Sequence, residues 1–318
     1  MKNKYVIIGG IFCCLVGIFA YLFGNSNGVF FKENPLGEAL EIYTNANKDS
    51  FEYKKTLKLI DNLKKEGVKV ELNKSKGEKG NLGLYIASSK AYIPEVKNKE
   101  GINILWVPFI GSDEDFSVFR NFDVVVVKSI ASFAHLKAIN VRTAFIPDGI
   151  DIKKVNAKRN DKAMFLGDND SFSLSLYLAK NLNIDIFGKN WEHTEHKDKV
   201  KASSALSKDV LSYLLVLVDQ SDENIYQNVV NSKVIEVLEM GAIPFVRYNP
   251  GLYKIFGDSI PMYYNEDDFY VQFNKLLREK EKTTEIAQSI YNASKNWNSK
   301  MVALKFIELF EIMKEKRI

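Results

Sequence analysis

Residues 228–246 read NVVNSKVIEVLEMGAIPFV, and this stretch predicts a short helix that runs almost directly into a buried strand. Asn231 or Ser232 can cap the helix, because both side chains accept hydrogen bonds from the unpaired N–H groups of a first turn. Gly241 can end it, since glycine adopts the left-handed backbone conformation at low cost. The apolar run 242–246 that follows is typical of a strand inside an α/β domain.

Two charged side chains lie near the start of this predicted helix. In open α/β sheets, ligands bind beyond the carboxyl ends of the strands, where helix N-termini point N–H groups into a crevice. Lys233 stands at that positive end and can help to hold a diphosphate, whereas Glu236 can accept hydrogen bonds from ribose hydroxyls. The alternative is a plain surface helix, in which Lys233 and Glu236 form an i,i+3 pair and Glu239 faces solvent.

Short apolar runs rich in β-branched residues recur along the chain and alternate with helical signals. Near-continuous runs of this kind suit parallel strands that are buried on both faces. They are residues 68–72, 82–88, 102–108, 122–129 and 143–147, and then 163–167, 184–188, 213–219, 242–246 and 260–264. A polar, charged segment separates the two sets. The sequence therefore predicts an α/β fold with two Rossmann-like domains that face a cleft.

The changes in composition also predict the domain boundaries. We expect a membrane anchor and connector over residues 1–30, a first Rossmann-like domain over 31–150 and a linker over 151–162. The second Rossmann-like domain is expected over 163–296. The last segment, 297–318, is amphipathic and predicts a helix that can cross back to the first domain.

The N-terminal segment predicts a single membrane-spanning helix. Residues 5–24 carry no charged side chain, and about 20 apolar residues suffice to cross a hydrocarbon core. Lys2 and Lys4 precede the run and favour a cytoplasmic N-terminus. A cleaved signal peptide is the alternative, although no clean small-x-small cleavage site follows. The only cysteines, Cys13 and Cys14, lie in this run, so the rest of the chain has no disulfide, cysteine nucleophile or thiolate metal site.

The net charge argues against a nucleic-acid-binding protein, and the spacing of the histidines argues against a zinc site. The formal net charge is only +4, and no dense Lys/Arg stripe with interleaved aromatic residues is present, so nucleic acid is not an expected partner. His193 and His196 are three residues apart and have no third ligand nearby. That spacing indicates a solvated helix start rather than a zinc site.

The opening stretch, extended through RYNPGLYKIFGDSIPMYYNEDDF, resembles the donor-nucleotide segment of GT-B glycosyltransferases. In that segment a Lys or Arg and then a Glu lie on a helix ahead of a Gly-x-x-Pro turn, and Glu236, Gly241 and Pro244 match the spacing. IDIFGKNW at 184–191 is similar to the strand-Gly-x-x-Trp feature of spore-maturation-type enzymes. Asp-Gln-Ser at 219–221 is similar to the acid-amide-Ser triplet of the more distant α1,3-fucosyltransferase branch.

The chain departs from these patterns in three places. Asn228 stands where many retaining members carry a Glu, Asn-Ser-Lys at 231–233 stands for the fucosyltransferases' Thr-Glu-Lys, and SFSLSLYLAK lacks an expected Arg. The resemblance covers most of 122–296 in pattern and about 184–268 in motif. It implies a GT-B fold and a nucleotide-sugar donor, and it leaves the sugar open.

The resemblance implies further donor-binding residues. Gly167 would let backbone amides approach the phosphates. Arg247 would neutralise phosphate charge, and its alternative is an ordinary charge at a strand end. Asn249 would lie near the donor, and its alternative is an ordinary turn residue. Asp-Asn-Asp at 168–170 spells the metal motif of the other glycosyltransferase fold, but in a GT-B context it predicts a turn and no obligatory metal. The expected donor-binding set is Gly167, Asn231, Ser232, Lys233, Glu236, Gly241, Arg247 and Asn249.

The same resemblance places the acceptor in the first domain, so a catalytic base is expected there. Asp113, Glu114 and Asp115 lie in a loop directly after a predicted strand, which is a suitable place for such a base. His135, on a predicted helix, is the other candidate. Asn228 favours inversion of the anomeric centre in a single displacement.

The expected function is metal-independent transfer of a sugar from a nucleotide-diphosphate sugar to a hydroxyl of a glycan, lipid or protein, with no further cofactor. Lys233 and the helix N-terminus would stabilise the departing diphosphate. The alternatives are an inactive GT-B scaffold and a membrane-tethered, two-lobed solute-binding protein. The expected location is the Golgi lumen in a eukaryote, or the cytoplasmic face of the inner membrane in a bacterium.

Overall fold

The computed structural model describes residues 33–73, 81–87, 93–96, 99–110, 116–153, 159–169, 173–201 and 210–316. Within them, the N-terminal lobe is built on a parallel sheet with the order β2-β1-β3-β4-β5-β6. Its strands are β1 (Leu40–Thr44), β2 (Val70–Leu72), β3 (Leu82–Ile86), β4 (Ile102–Val107), β5 (Val124–Val127) and β6 (Thr143–Phe145). The apolar runs form these strands because β3, β4 and β5 are buried along their whole length.

Two helices of the N-terminal lobe follow strands of this sheet. Helix α1 (Phe51–Lys65) starts at Ser50, whose side chain accepts a hydrogen bond from the N–H of Tyr53. Helix α2 (Ile130–Ala138) is capped in the same way by Ser129. Since both helices follow a strand of a parallel sheet, both begin at its carboxyl edge.

The C-terminal lobe has a second parallel sheet, with the order β11-β10-β9-β7-β8. Its strands are β7 (Ala163–Leu166), β8 (Ile184–Phe187), β9 (Leu215–Leu217), β10 (Pro244–Arg247) and β11 (Met262–Tyr263). Its helices are α3 (Leu174–Leu178), α4 (Asp222–Tyr226), α5 (Ser232–Glu239), α6 (Pro250–Phe256), α7 (Glu266–Arg278) and α8 (Thr283–Ser294). The prediction of an α/β fold with two parallel sheets is confirmed.

The last helix, α9 (Ser299–Glu315), packs on the N-terminal lobe although it follows the C-terminal one. Phe306 and Phe310 are fully buried there, and the Phe306 ring lies 5.1 Å from the ring of Trp106 in β4. The chain thus passes between the lobes twice. The two passages touch, because the N–H of Ile150 donates to the carbonyl of Trp297 at 2.9 Å.

Strand β1 is absent from the sequence-based prediction. It is buried along its whole length and lies between β2 and β3. Its pattern is interrupted by Glu41, which is 5% exposed and accepts a hydrogen bond from the hydroxyl of Tyr43. Burial, together with this carboxylate, raises the pKa of Tyr43. Because a charged residue interrupts the apolar run, the sequence pattern did not indicate a buried strand here.

The predicted membrane anchor, residues 5–24, lies outside the described residues, as do Cys13 and Cys14. Among the helices that the structure does describe, none combines the length and the apolar character needed to cross a bilayer. The anchor stays a prediction from the sequence.

Candidate functional site

A cavity of about 500 Å³ opens at the carboxyl edge of the C-terminal sheet. The loops after β7, β9 and β10 meet there. Strands β7 and β9 are neighbours in the sheet, and the chain runs from β7 to β8 on one side and from β9 to β10 on the other, so the connections that follow β7 and β9 leave this point in opposite directions, which is the usual position of a ligand crevice. The cavity is lined by Phe165, Leu166, Gly167, Asp168, Ser173, Leu174, Asp219, Gln220, Ser221, Asp222, Asn231, Ser232, Lys233, Arg247 and Tyr263.

Gly167, which follows β7, forms part of this wall. Its carbonyl accepts a hydrogen bond from the indole N–H of Trp191 at 2.9 Å, and Trp191 is 3% exposed. A Cβ on Gly188 would lie 1.9 Å from that same carbonyl oxygen, so the loops after β7 and β8 approach closely only because Gly188 has no side chain. The strand-Gly-x-x-Trp pattern at 184–191 therefore holds the cavity wall in place.

The segment 168–170 is a turn where the structure describes it. An Asp168 carboxylate oxygen accepts from the N–H of Lys189 at 2.8 Å, and the side-chain amide of Asn169 donates to the carbonyl of Asn190 at 2.9 Å. Asp170 lies outside the described residues. His196 packs its ring 6.0 Å from that of Trp191. No group of three or more His, Cys, Asp or Glu side chains in the described part of the chain is placed to hold a metal.

Asp219 and Tyr263 form a hydrogen-bonded wall around the start of α3. A carboxylate oxygen of Asp219 accepts from the N–H of Ser175 at 2.9 Å, and the Ser175 hydroxyl lies 2.9 Å from the hydroxyl of Tyr263. Burial raises the pKa of Tyr263 to about 12, so this phenol is neutral at physiological pH. The Asp219 carboxylate thus accepts from a backbone N–H in the first turn of α3, where the helix N-terminus favours a negative charge.

Asn249 supports the cavity from beneath rather than lining it. The side chain is fully buried, and its amide donates to Gln220 Oε1 and to the carbonyl of Val229, each at 2.9 Å. Its carbonyl oxygen accepts from the N–H groups of Gly251 and Leu252 at the start of α6. Both polar atoms of the side chain are therefore occupied by the protein. The direct donor contact expected of Asn249 stays a prediction.

The N-terminus of α5 reaches the cavity. Asn231 caps the helix, and its side-chain oxygen accepts from the N–H of Lys233 at 2.7 Å. Of the two cations in the wall, Arg247 is paired with Asp222 at 2.8 Å, whereas Lys233 forms no ion pair with any described residue. The alternative pair of Lys233 with Glu236 is likewise not formed between these two described side chains. Lys233 and the helix N-terminus together offer positive charge to an anion.

Two other predicted donor-binding residues lie on or after α5 but do not line the cavity. Glu236 is exposed one turn after Lys233. Gly241 adopts a φ of +81° and ends the helix, with its N–H donating to the carbonyl of Leu238 at 2.9 Å. Its carbonyl accepts from the Arg159 guanidinium at 2.9 Å. Gly241 thus has a structural role at the opposite end of α5 from the cavity.

Glu239, at the C-terminal end of α5, does not face solvent, and that alternative is wrong. Its side chain is 19% exposed and one carboxylate oxygen accepts from Lys55 at 2.7 Å and from Lys58 at 2.9 Å, both on α1. The N–H of Asp151 donates to the same oxygen at 3.2 Å. We call Lys55, Lys58, Asp151 and Glu239 the junction cluster. It joins α5 of the C-terminal lobe to the N-terminal lobe.

Burial and hydrogen bonding shift two pKa values in the junction cluster. Burial lowers the pKa of Lys55, and the charge of Glu239 opposes that effect. Burial by itself would raise the pKa of Asp151, but two hydrogen bonds from Ser299, at 2.9 Å and 2.6 Å, hold it below its ordinary value. Asp151 therefore stays ionised beside the two lysines.

Of the predicted catalytic residues of the N-terminal lobe, the structure describes His135 alone. Asp113, Glu114 and Asp115 lie outside the described residues. The chain enters their segment at Ile110, whose N–H donates to the Ser132 hydroxyl at the start of α2, so the entry is at the carboxyl edge. His135 lies in the last turn of α2, which is the end away from that edge.

One described contact joins the lobes near the cavity. The hydroxyl of Ser129, at the start of α2, donates to the carbonyl of Gln227, just after α4. Ser129 also caps α2 by accepting from the N–H of Ser132 at 2.9 Å. The carboxyl edges of the two sheets therefore approach each other at this contact.

Comparison with known proteins finds the fold in solved structures. No protein-family model matches the chain, and no curated protein matches it in sequence. T4 phage BGT in complex with UDP-glucose matches at a TM-score of 0.53 and 14% identity, over 86% of this chain and 98% of that one. An α1,3-fucosyltransferase with GDP matches at 0.51 and 14%, over 89% of this chain and 97% of that one.

A third similar structure is S. aureus TarM, at a TM-score of 0.51 and 11% identity over 72% of this chain. The chain spans about half the length of TarM, covering 54% of it. The chain has the GT-B fold. The fold expected from the resemblance to GT-B glycosyltransferases is confirmed. At sequence identities of 11–14%, these similarities establish the fold but not the substrate or the site residues.

Proposed function

We propose that the chain is a glycosyltransferase that binds a nucleotide-diphosphate sugar in the cavity and transfers the sugar to a hydroxyl group held by the N-terminal lobe. The observation that carries this proposal is Lys233, a lysine without an ion pair among the described residues, beside the N-terminus of α5. The GT-B fold supports it, because structures of this fold that match the chain hold UDP-glucose or GDP.

The diphosphate is proposed to bind at the start of α5. The helix N-terminus carries partial positive charge, and Lys233 adds a full one. A hydrogen bond to a charged group is worth about 1.5–3 kcal/mol. Because negative charge grows on the diphosphate as the glycosidic bond breaks, these groups stabilise the leaving group, and the proposal requires no metal ion.

Three further residues are proposed to complete the donor site. The Asp222 partner of Arg247 is 93% exposed, so a phosphate can compete for the guanidinium at little cost. Gly167 is proposed to let the ligand approach the loop after β7 because it has no side chain, although its own N–H and carbonyl are hydrogen-bonded to Phe187 and Trp191; a Cβ there would lie 2.7 Å from the Phe165 ring. Glu236, exposed one turn beyond Lys233, is proposed to bind ribose hydroxyls at the rim of the cavity.

The acceptor side is proposed to use the acidic segment after β4. One carboxylate among Asp113, Glu114 and Asp115 takes the proton of the acceptor hydroxyl. The acceptor oxygen then bonds to the anomeric carbon while the bond from that carbon to the diphosphate oxygen breaks. A single displacement of this kind inverts the anomeric centre.

A panel of UDP-, GDP-, ADP- and CMP-sugars tests the function. We expect one donor to raise the melting temperature of the protein, and the same donor to be slowly hydrolysed in the absence of acceptor. Binding without hydrolysis or transfer to any acceptor would indicate an inactive scaffold. Binding of free sugars without the nucleotide would indicate a solute-binding protein.

A further inference from the structure

An aromatic surface lies beside the cavity at the same edge of the C-terminal sheet. The rings of Tyr248 and Tyr264 stack with centroids 4.5 Å apart and an angle of 24° between their planes. The Tyr253 ring lies 5.9 Å from that of Tyr248. We call these three side chains the tyrosine platform. Single exposed aromatic residues are ordinary on protein surfaces, whereas a contiguous group marks an interaction site.

The tyrosine platform is open to solvent. Tyr264 is 62% exposed although the stack covers one face of its ring, and Tyr253 is 41% exposed. Each phenol combines an apolar ring with a polar hydroxyl, which suits a ligand that has both apolar faces and hydroxyl groups. A sugar ring has both, because its C–H groups lie on the faces and its hydroxyls lie around the edge.

The position of the platform connects it to the cavity. Tyr248 directly follows Arg247 at the end of β10, and Tyr264 directly follows Tyr263 at the end of β11. Arg247 and Tyr263 both line the cavity. The N–H of Tyr248 donates to the carbonyl of Tyr263 at 2.7 Å, which fixes the two strand ends together. A chain-like ligand with one end near the cavity therefore has the platform next to it.

Charge around the platform favours an uncharged ligand. Tyr264 is followed by Asn265, which caps α7, and by the acidic first turn of that helix, Glu266, Asp267 and Asp268. The N–H of Tyr264 donates to the Asp268 carboxylate at 2.9 Å. Desolvation, followed by the charges of neighbours that include Asp258 and Asp268, raises the pKa of Tyr264. The four carboxylates around Tyr264 outnumber the two cations beside the other tyrosines, Arg247 before Tyr248 and Lys254 after Tyr253, and they disfavour a polyanion such as nucleic acid.

We infer that the tyrosine platform is a carbohydrate-binding surface that stacks on the rings of an uncharged glycan chain beside the donor cavity. Where it rests on the proposed function, it gives the acceptor a class: a neutral oligosaccharide whose rings stack on the platform of the C-terminal lobe while the N-terminal lobe holds its reacting hydroxyl. It does not require transfer activity, because it concerns binding alone.

The test uses the full chain and a panel of neutral hexasaccharides: cellohexaose, maltohexaose and chitohexaose. Affinity is measured by calorimetry for the wild type, Tyr264→Ala, Tyr264→Phe and Tyr177→Ala, the last being a control at a tyrosine on α3 that is 48% exposed. We expect at least one hexasaccharide to bind, with about tenfold weaker affinity in Tyr264→Ala. Tyr264→Phe, which keeps the ring, and Tyr177→Ala are expected to stay within twofold of the wild type.

Three results would overturn the inference. One is that no hexasaccharide binds the wild type, and another is that Tyr264→Ala binds as the wild type does. The third is tighter binding of a twelve-nucleotide oligothymidine than of any glycan, which would make the platform a nucleic-acid surface. The affinity for a nucleoside diphosphate is measured in the same variants. It is expected to be unchanged in Tyr264→Ala, so that failure of the platform and failure of the donor site give different results.

Discussion

The two ends of α5 carry charges of opposite sign and meet different surroundings. At the N-terminal end, Lys233 faces a cavity and has no ion-pair partner among the described residues. At the C-terminal end, Glu239 accepts hydrogen bonds from two lysines and a backbone N–H. The charge of Lys233 is therefore available to a ligand, whereas the charge of Glu239 is neutralised by contacts that join the two lobes.

This difference gives the short helix two roles. The junction cluster fixes the C-terminal end of α5 to α1 of the other lobe, and Lys55 within it is only 5% exposed. A helix anchored at one end presents its other end in a defined place, which a binding site for a reacting diphosphate requires. Function at the cavity and stability at the junction are therefore expected to separate by mutation.

The largest effect is expected for Glu239→Ala. It leaves Lys55 buried without its carboxylate partner, and breaking a buried pair on one side costs about 3–5 kcal/mol. Because Glu239 is 19% exposed, we expect the lower end, about 3 kcal/mol of unfolding free energy. Urea denaturation measures it. Glu236→Ala is the matched control on the exposed face of the same helix and should change the unfolding free energy by about 0.5 kcal/mol or less.

A second substitution at the junction sharpens that comparison. In the double variant Lys55→Met, Glu239→Leu both buried charges are removed, and apolar replacement of a buried pair is often neutral. We expect this variant to be more stable than Glu239→Ala. Equal stability of Glu239→Ala and Glu236→Ala would contradict the distinction between the two ends of α5.

Loss of the contact between Ser129 and Gln227 is expected to lower the unfolding free energy less than disruption of the junction cluster does. Ser129→Ala removes the cap of α2 and the hydrogen bond to Gln227. Loss of a serine cap costs about 1 kcal/mol, and we expect about 1–2 kcal/mol in total. Thermal unfolding measures it, with Ser129→Asn as the variant that keeps a capping side chain. A loss as large as that of Glu239→Ala would show that the lobes depend equally on both contacts.

Acid should weaken the junction through Asp151. Its pKa in the folded protein is lower than its ordinary value of 3.8. The folded state therefore binds this proton less readily than the unfolded chain, so the stabilisation is present above about pH 4 and is lost as the pH falls through the folded-state pKa. Unfolding measured from pH 7 to pH 2 should show the wild type losing more stability than Asp151→Asn. Parallel curves for the two proteins would be inconsistent with an ionised, hydrogen-bonded Asp151.

The smallest effect is expected for Glu236→Gln. The substitution keeps the size and an acceptor oxygen but removes the charge, and a single hydrogen bond at an exposed position is worth about 1 kcal/mol. Donor affinity should therefore fall by about fivefold, with no change in the unfolding free energy. An unchanged affinity would remove Glu236 from the proposed donor site and leave the role of Lys233 intact.

Much of the fold could be predicted because local signals agree with the global arrangement. The apolar runs that form β3, β4 and β5 are buried on both faces. Asn231 was one of two expected caps, and it is the cap of α5. Strand β1 escaped prediction because Glu41 interrupts its pattern, and Glu41 is tolerated in the core only through its hydrogen bond from Tyr43.

Less of the site could be predicted because side-chain partners are set by tertiary structure. Nothing near Glu239 in the sequence indicates its partners, which lie 184 and 181 residues away. Likewise, the sequence shows that Asn249 precedes a proline, but not that its amide bonds Gln220 beneath the cavity. Gly167 and Arg247 were assigned through family resemblance, Lys233 was assigned through its place at a helix N-terminus, and all three line one cavity. The spacing of a motif can indicate that distant residues line the same cavity, whereas secondary-structure propensity indicates only local conformation.

The most direct measurement of the central claim compares a nucleoside diphosphate with its nucleoside in wild type and Lys233→Ala by calorimetry. The pair used is UDP with uridine, or GDP with guanosine, according to the donor that binds. We expect Lys233→Ala to lower the affinity for the diphosphate about tenfold to a hundredfold and to leave the affinity for the nucleoside within twofold of the wild-type value. In the control variant Lys64→Ala, both affinities are expected to stay within twofold of the wild type. An unchanged diphosphate affinity, or an equal loss for both ligands, would contradict a diphosphate held at the start of α5.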